Sequence, residues 1–350
     1  MNVLITGGAG FVGSNIAIFL KEKYPEWKIY VLDNLKRRGS ELNLPRLKEK
    51  GIYFYHGDIR NSEDFYEFYN KDINFLIECS AEPSALAGID GNSFYVVNTN
   101  LNGLINCLEF CKKVKSNLIF LSTSRVYPYE KLNAIPFTET ETRFIWTDDN
   151  YKNGISENFN LDGAKTLYGA SKLAGELFII EYSNIFGFKS VINRFSVIAG
   201  PWQFGKVDQG VFTLWMLHHY FKKDLTYIGF GGKGKQVRDL IHIKDVISLI
   251  EWEIFNIDKV NLQIFNAGGG NFSNLSLLEA TKLCEEITGN RIKIYSNPET
   301  RPGDVRIFII NYQKIKDISS WTPKFNSKEI LYDIFKWINE NEKFLKILSS

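Results

Sequence analysis

The chain opens MNVLITGGAGFVGSNIAIFLKEKY, a short apolar run followed at once by spaced glycines. Residues 2–6 are β-branched and apolar and read as a strand, and the amphipathic stretch 14–24 reads as a helix. Between them Gly7, Gly10 and Gly13 stand in G-x-x-G-x-x-G spacing. Gly7 and Gly10 permit a tight turn and the close approach of a pyrophosphate. Gly13 lets the helix pack on the strand, and the helix N-terminus offers free N–H groups. Three glycines could also make a turn that binds nothing. Asp33 separates the two readings: it follows Gly13 by 20 residues and ends a second strand, KIYVLDN. A carboxylate there accepts the hydroxyls of an adenosine ribose. It also repels a 2′-phosphate, which favours NAD over NADP, although Lys36 and Arg38 could reach such a phosphate.

Strand-like runs alternate with helical patterns along the first 200 residues. NVLITG, KIYVLDN, IYFYHGD, NFLIECSA, NLIFLST and KSVINRFSV read as strands; 14–24, 41–50, 62–70, 94–114 and 168–186 read as helices. Buried apolar strands separated by helices predict an α/β fold with a doubly wound parallel sheet, that is, a Rossmann fold. After about residue 200 the elements shorten and glycine and aromatic residues scatter. We therefore expect a nucleotide-binding domain over 1–200, its sheet completed by part of 235–270 through QIFNAGG. A smaller substrate-binding lobe over 201–350 would cover the sheet ends, and a polar insertion at about 129–165 would form a loop over the site.

Composition narrows the partners. With 350 residues, 44% hydrophobic and 23% charged, the chain can bury a sizeable core. Net charge is +2 and there is no long basic tract, so a nucleic-acid surface is not expected; Lys36-Arg37-Arg38 reads as a solvated loop. Charges follow residues 2–6 too soon for a spanning helix or signal peptide, which makes the cytoplasm the expected location without a membrane partner. Cys79, Cys107, Cys111 and Cys284 lack zinc-site spacing and the four histidines do not cluster, so a metal is not needed. Cys107 and Cys111, one helical turn apart, read as reduced core residues.

Two later stretches carry chemistry, STSRVY and YGASK. Tyr168 and Lys172 are four residues apart on a predicted helix, so both side chains leave one face. An ammonium beside a phenol, with a cationic nicotinamide nearby, favours the phenolate. Such a tyrosine can take a proton from a substrate hydroxyl while the cofactor takes hydride. Thr123 closes a strand, where its hydroxyl could steady the same oxygen. Alone, Tyr-x-x-x-Lys could be a surface pair; the glycine motif in the same chain argues otherwise.

TGGAGFVG, STSRVY and YGASK resemble the extended short-chain dehydrogenase/reductase family, the NAD-dependent nucleotide-sugar epimerases and dehydratases. The likeness extends to GKQVRDLIHIKD and RPGDVR. It implies that Gly7, Gly10, Phe11 and Val12 line the pyrophosphate, and Asp33 and Asn34 the adenosine ribose. Asp58 and Ile59 would hold the adenine, with Ser80, Ala81, Asn100 and Ser122 along the rest of the cofactor. Tyr168 and Lys172 would reach the nicotinamide ribose and, with Thr123, form the catalytic triad. Ser124, Gln209, Gln236, Arg238 and Arg301 are the implied substrate contacts, the two arginines clamping a diphosphate through bidentate guanidinium groups. Dehydratases of the family carry Asp-Glu after the catalytic threonine; here Ser124 and Arg125 occupy those positions, so dehydration is not expected. RFSVIAGP lacks the Asn and Tyr that most relatives place before Gly-Pro.

TETETRF, DQGVFTLWML and GFGGKGKQVRDLIH are most similar to the CDP-paratose 2-epimerase subfamily. The implied reaction on a CDP-sugar is transient oxidation at C2 and return of hydride to the other face. A UDP-sugar 4-epimerase with the same triad, or an idle NAD-binding sensor, are the competing expectations. Relatives pair through two long helices, which implies a homodimer or homotetramer built on 94–114 (Leu101, Leu104, Leu108) and 168–186 (Leu173, Leu177, Ile180).

Overall fold

The computed structural model describes residues 1–89, 92–205 and 210–349. The chain divides into two units: 1–126, 167–194 and 247–265 form the first, and 127–166, 195–246 and 266–350 the second.

The main sheet has seven strands: β1 (Asn2–Thr6), β2 (Lys28–Asp33), β3 (Tyr53–His56), β4 (Phe75–Glu78), β5 (Asn117–Thr123), β6 (Ser190–Phe195) and β7 (Gln263–Ala267). Their order is β7-β6-β5-β4-β1-β2-β3. The pairs β1–β2, β2–β3, β1–β4 and β4–β5 are parallel. The chain runs outward from β1 to β3 and then returns to the other side of β1, so the order reverses between β1 and β4. Ligands of open α/β sheets sit over the strand ends at such a switch point. QIFNAGG supplies β7 at the edge of this sheet, beside β6.

Helix α1 (Phe11–Lys23) begins where Gly10 ends the turn, buries Ile16, Ala17 and Leu20, and places Lys21 and Lys23 in its last turn, where cations suit the helix dipole. Leu4, Leu76, Leu118 and Ile192 of the strands form one core with Leu104, Leu108 and Phe110 of α4 (Gly103–Val114) and Ile179 of α5 (Leu167–Phe186). Leu104 and Leu108 are thus 1% and 0% exposed, a correction to their place in the expected oligomer stripe.

Local geometry departs from the sequence reading where tertiary packing decides it. Residues 62–70 form a 3₁₀ turn over Ser62–Phe68, which puts Phe65 and Phe68 on one buried edge. Residues 41–50 start as a 3₁₀ turn and become α2 (Leu44–Glu49) at a proline in the first helical positions. The 94–114 helix starts as α3 (Ser93–Val97) and passes through a π-turn at Asn98–Asn102 before α4. KSVINRFSV breaks at Ser196; Val197–Ala199 pairs with Leu240–His242 of the second unit.

In the second unit, Val237–His242 is the central strand of a four-stranded sheet. It pairs with Val197–Ala199, Asn274–Ser276 and Ile307–Phe308. Helices Val211–Tyr220, Leu277–Thr288 and Ser327–Glu340 share a core built on Trp215, Met216, Cys284, Ile334 and Trp337. Residues 127–166, expected with the first 200, belong to this unit rather than forming a plain loop. They hold a hairpin, Phe137–Glu139 with Phe144–Trp146. Arg143 fastens it through a two-pronged contact with Glu279, and Arg306 lies 3.9 Å over the Phe137 ring. No helix among the described residues is long and apolar enough to cross a membrane.

Candidate active site

The glycine turn is shaped by contacts that only glycine permits. Gly7 has φ +62, and a Cβ on it would lie 2.8 Å from the Ser80 nitrogen. A Cβ on Gly13 would stand 2.5 Å from the Gly7 oxygen. The turn therefore presses against Cys79 and Ser80, at the end of β4, across the switch point. No side chain caps α1 at Gly10, and its first turn carries no acid. The backbone N–H groups at Phe11 and Val12 face outward with the positive end of the helix dipole. Such a cradle fits the pyrophosphate of NAD.

Asp33 ends β2 beside this cradle. Its Oδ2 accepts from the Ala9 N–H (3.0 Å) and its Oδ1 from the Leu35 N–H (2.8 Å). Burial raises its pKa, and these backbone donors oppose the rise. A carboxylate has about four acceptor positions, so room remains for a ribose hydroxyl. Asn34 donates to Asp58 (2.8 Å), which also pairs with Arg60 at 2.5 Å. Although burial opposes it, Arg60 and Asn34 bring the Asp58 carboxyl down to about 2. Ile59 is a core residue: a Cβ on Gly103 would lie 2.6 Å from its Cδ1. Lys36, one of the two groups that could have favoured NADP, sets its ammonium 3.7 Å over the Tyr95 ring.

Asn100 sits in the π-turn, 2% exposed. It accepts from the Glu82 N–H (2.8 Å) and donates to the Glu82 carbonyl (3.1 Å) and Ser171 Oγ (3.2 Å). The side chain thus fixes the loop carrying Ser80 and Ala81. Ser122 donates to Glu176 at 2.5 Å, and Glu176 receives the Arg194 guanidinium at 2.7 Å.

Thr123 ends β5, and α5 packs against β5 and the turn Ser124–Val126 that follows it. The Thr123 hydroxyl accepts from the Arg125 N–H at 3.2 Å, which leaves its own hydrogen to donate. Tyr168 is half-buried in the first turn of α5, and Lys172 is buried one turn later. Glycine cradle, Thr123, Tyr168 and Lys172 all belong to the first unit.

Of the implied substrate contacts, only Ser124 belongs to this unit. Gln236, Arg238 and Arg301 are in the second unit, and Gln209 falls outside the described residues. Arg238 donates to the Val305 carbonyl (2.6 Å) and Arg301 pairs with Asp304 (3.0 Å), so one segment holds both guanidinium groups. Gln236 donates to the Ile228 carbonyl, while its buried Oε1 has no hydrogen-bond partner among the described residues.

A sequence model described as the NAD dependent epimerase/dehydratase family matches residues 3–268. The chain belongs to that family. Its cofactor is NAD, and the cradle described above fits it. Among relatives of this epimerase/dehydratase, a CDP-paratose 2-epimerase of Salmonella typhi is 34% identical, over 96% of this chain and 99% of that protein. A putative UDP-glucose 4-epimerase of Methanocaldococcus jannaschii is 27% identical, over 97% and 99%. The solved UDP-glucose 4-epimerase of Thermus thermophilus, in complex with NAD, superposes with a TM-score of 0.77 at 26% identity, covering 97% and 99%. This likeness, and the strand order, bear out the expected Rossmann fold.

Three site residues escape the motif reading of this epimerase/dehydratase. Glu176 and Arg194 form a buried ion pair below Ser122. Glu78 ends β4, fully buried, against Lys172. The signal for Glu78 was present: an acid closing the apolar run NFLIE has no reason to be there unless it has a partner.

Proposed function

We propose that this chain is a nucleotide-sugar epimerase that inverts C2 of a CDP-linked sugar, with Thr123, Tyr168 and Lys172 as its catalytic groups. One observation carries the reading: Tyr168 and Lys172 share the start of a helix packed on the Thr123 strand, in the unit that carries the glycine cradle. Bound NAD supplies a reversible acceptor for the hydrogen on the carbinol carbon. Tyr168 takes the hydroxyl proton and gives it back, and the Lys172 ammonium favours its phenolate. Thr123 donates its free hydrogen to the same substrate oxygen. Ser124 and Arg125 supply no carboxyl pair, which supports epimerisation over loss of water. Arg238 and Arg301 are assigned to the diphosphate, and Gln236, with its unpartnered buried Oε1, to a substrate donor.

The CDP-sugar and the C2 position rest on the Salmonella typhi relative and the loops that resemble its subfamily. The free, largely buried cysteines support a reducing, cytoplasmic location. Protomers are assigned to pair through the exposed face of α3 and α5. The test is a CDP-sugar deuterated at C2, with products resolved by NMR. Inversion at C2 with the label retained in ordinary water is expected. Loss of label to solvent would overturn oxidation at that carbon. Inversion at C4 would favour a 4-epimerase, the activity named for the Methanocaldococcus jannaschii and Thermus thermophilus relatives.

A further inference from the structure

The strand β4 reads Phe75-Leu76-Ile77-Glu78, and all four residues are buried. Glu78 Oε2 lies 3.5 Å from Lys172 Nζ, with side-chain exposures of 2% and 3%. The ammonium also stands 4.1 Å over the Phe120 ring. Among the described residues Glu78 is the one hydrogen-bond partner of Lys172, and it uses one of three ammonium donors. Among the described residues Glu78 Oε1 has no hydrogen-bond partner.

We propose that Glu78 is a positioning residue whose carboxylate keeps the buried Lys172 ammonium charged and aimed, leaving its other donors for the reaction side. The proposal rests on the acid–base reading of Tyr168 and Lys172 given above. A buried charge persists when an opposite charge accompanies it. Without Glu78 the buried ammonium would stand with no opposite charge beside it, and it is the charged form that supports a phenolate. Burial pushes the Glu78 carboxyl up, and Lys172, ahead of Ser80, pulls it back. The other titratable groups facing the pair are Cys107 from α4 and Cys79 beside Glu78. Burial, then Glu78, holds both thiols well above their ordinary range, so they stay neutral.

The experiment compares Glu78→Gln, Glu78→Asp, Lys172→Met, Glu78→Gln/Lys172→Met and Tyr168→Phe in the NAD-loaded protein. In E78Q the acidic limb of the kcat/KM profile should move up by about one pH unit, a tenfold loss on that limb. KM for the sugar should stay within about twofold, since Glu78 touches no substrate. E78D keeps the charge and should keep the limb. An unmoved limb, a downward shift, or an equal shift in E78D would overturn the proposal. Thermal unfolding gives a readout independent of turnover. K172M strands a buried carboxylate and should lower Tm, and the double variant should recover at least about half of that loss. A double variant no more stable than K172M counts against the pair, and this comparison decides the matter even if E78Q alone does not fold. Near-normal turnover of Tyr168→Phe would remove the acid–base reading itself. An inactive Y168F with an unmoved E78Q limb would sink only the role of Glu78.

Discussion

Tyr168 is half-buried while Lys172, one turn on, is sealed from solvent. That difference suits their tasks: a group that exchanges protons must meet substrate, and a group that tunes it need only be near. Tyr168→Phe keeps the ring and removes the hydroxyl. It should retain the fold and the NAD released on denaturation, yet lose about 10²-fold in turnover, the usual scale for one acid–base group. Turnover near that of the parent protein would take Tyr168 out of the role. The Tyr-x-x-x-Lys pair was legible because helix geometry alone brings the two residues onto one face. Glu78 was not. It meets Lys172 across 94 residues of chain, a contact that only the folded chain creates. Asn100 and Ser122 show the complementary gap: their positions were legible, but not that their side chains point to Glu82, Ser171 and Glu176.

At the scale of elements, the runs of apolar residues predicted the strands because a strand covered on both faces has no alternative composition. What they could not predict was where packing interrupts a run. The break at Ser196, the π-turn at Asn98–Asn102 and the 3₁₀ turn at Ser62–Phe68 satisfy neighbours distant in sequence. The contact between β6 and α6 (Ile243–Val260) offers a prediction of this kind. Asn193 donates to Glu253 at 2.9 Å, and both residues are 0% exposed. Burial raises the Glu253 carboxyl from 4.5 to about 8, against the pull of Asn193. The native state therefore holds a proton that the unfolded chain releases near 4.5. Stability should fall as pH rises from there towards 8, by at most about 1.4 kcal/mol per pH unit. Asp239, raised by burial to about 7, acts in the same direction over the lower part of that range. Glu253→Gln cannot ionise, so urea midpoints taken at about pH 6 and about pH 8 should differ less for it than for the parent. An equal difference would show that Glu253 ionises no higher in the native state than in the unfolded chain.

On the scale of the whole molecule, the division into units was only partly visible in the sequence. Residues 127–166 precede the Tyr168 helix and read as its neighbours, but Arg143 reaches Glu279 over 136 positions and draws the segment into the second unit. Assembly poses the same problem, because a stripe of leucines looks alike whether it faces a core or a partner. The fold separates the two. Leu104 and Leu108 are internal, whereas Phe94 of α3 and Leu177, Phe178 and Ile185 of α5 are 67%, 61%, 44% and 65% exposed. Positions 177, 178, 181 and 185 fall on one face of α5, and Tyr182 donates to Glu109 of α4 at its margin (2.8 Å). Large apolar side chains clustered on helices at the surface are costly in water and are usually covered. A second copy related by a twofold axis covers such a face with itself. We therefore expect a homodimer, or a tetramer of two such pairs, at micromolar concentration. Leu177→Glu should reduce the mass measured by light scattering to the 40.3 kDa of one chain. NAD should stay bound in this variant, because Leu177 is exposed whereas Lys172 is buried. A parent protein that is strictly monomeric, or a dimer indifferent to Leu177→Glu, would place the interface elsewhere or nowhere.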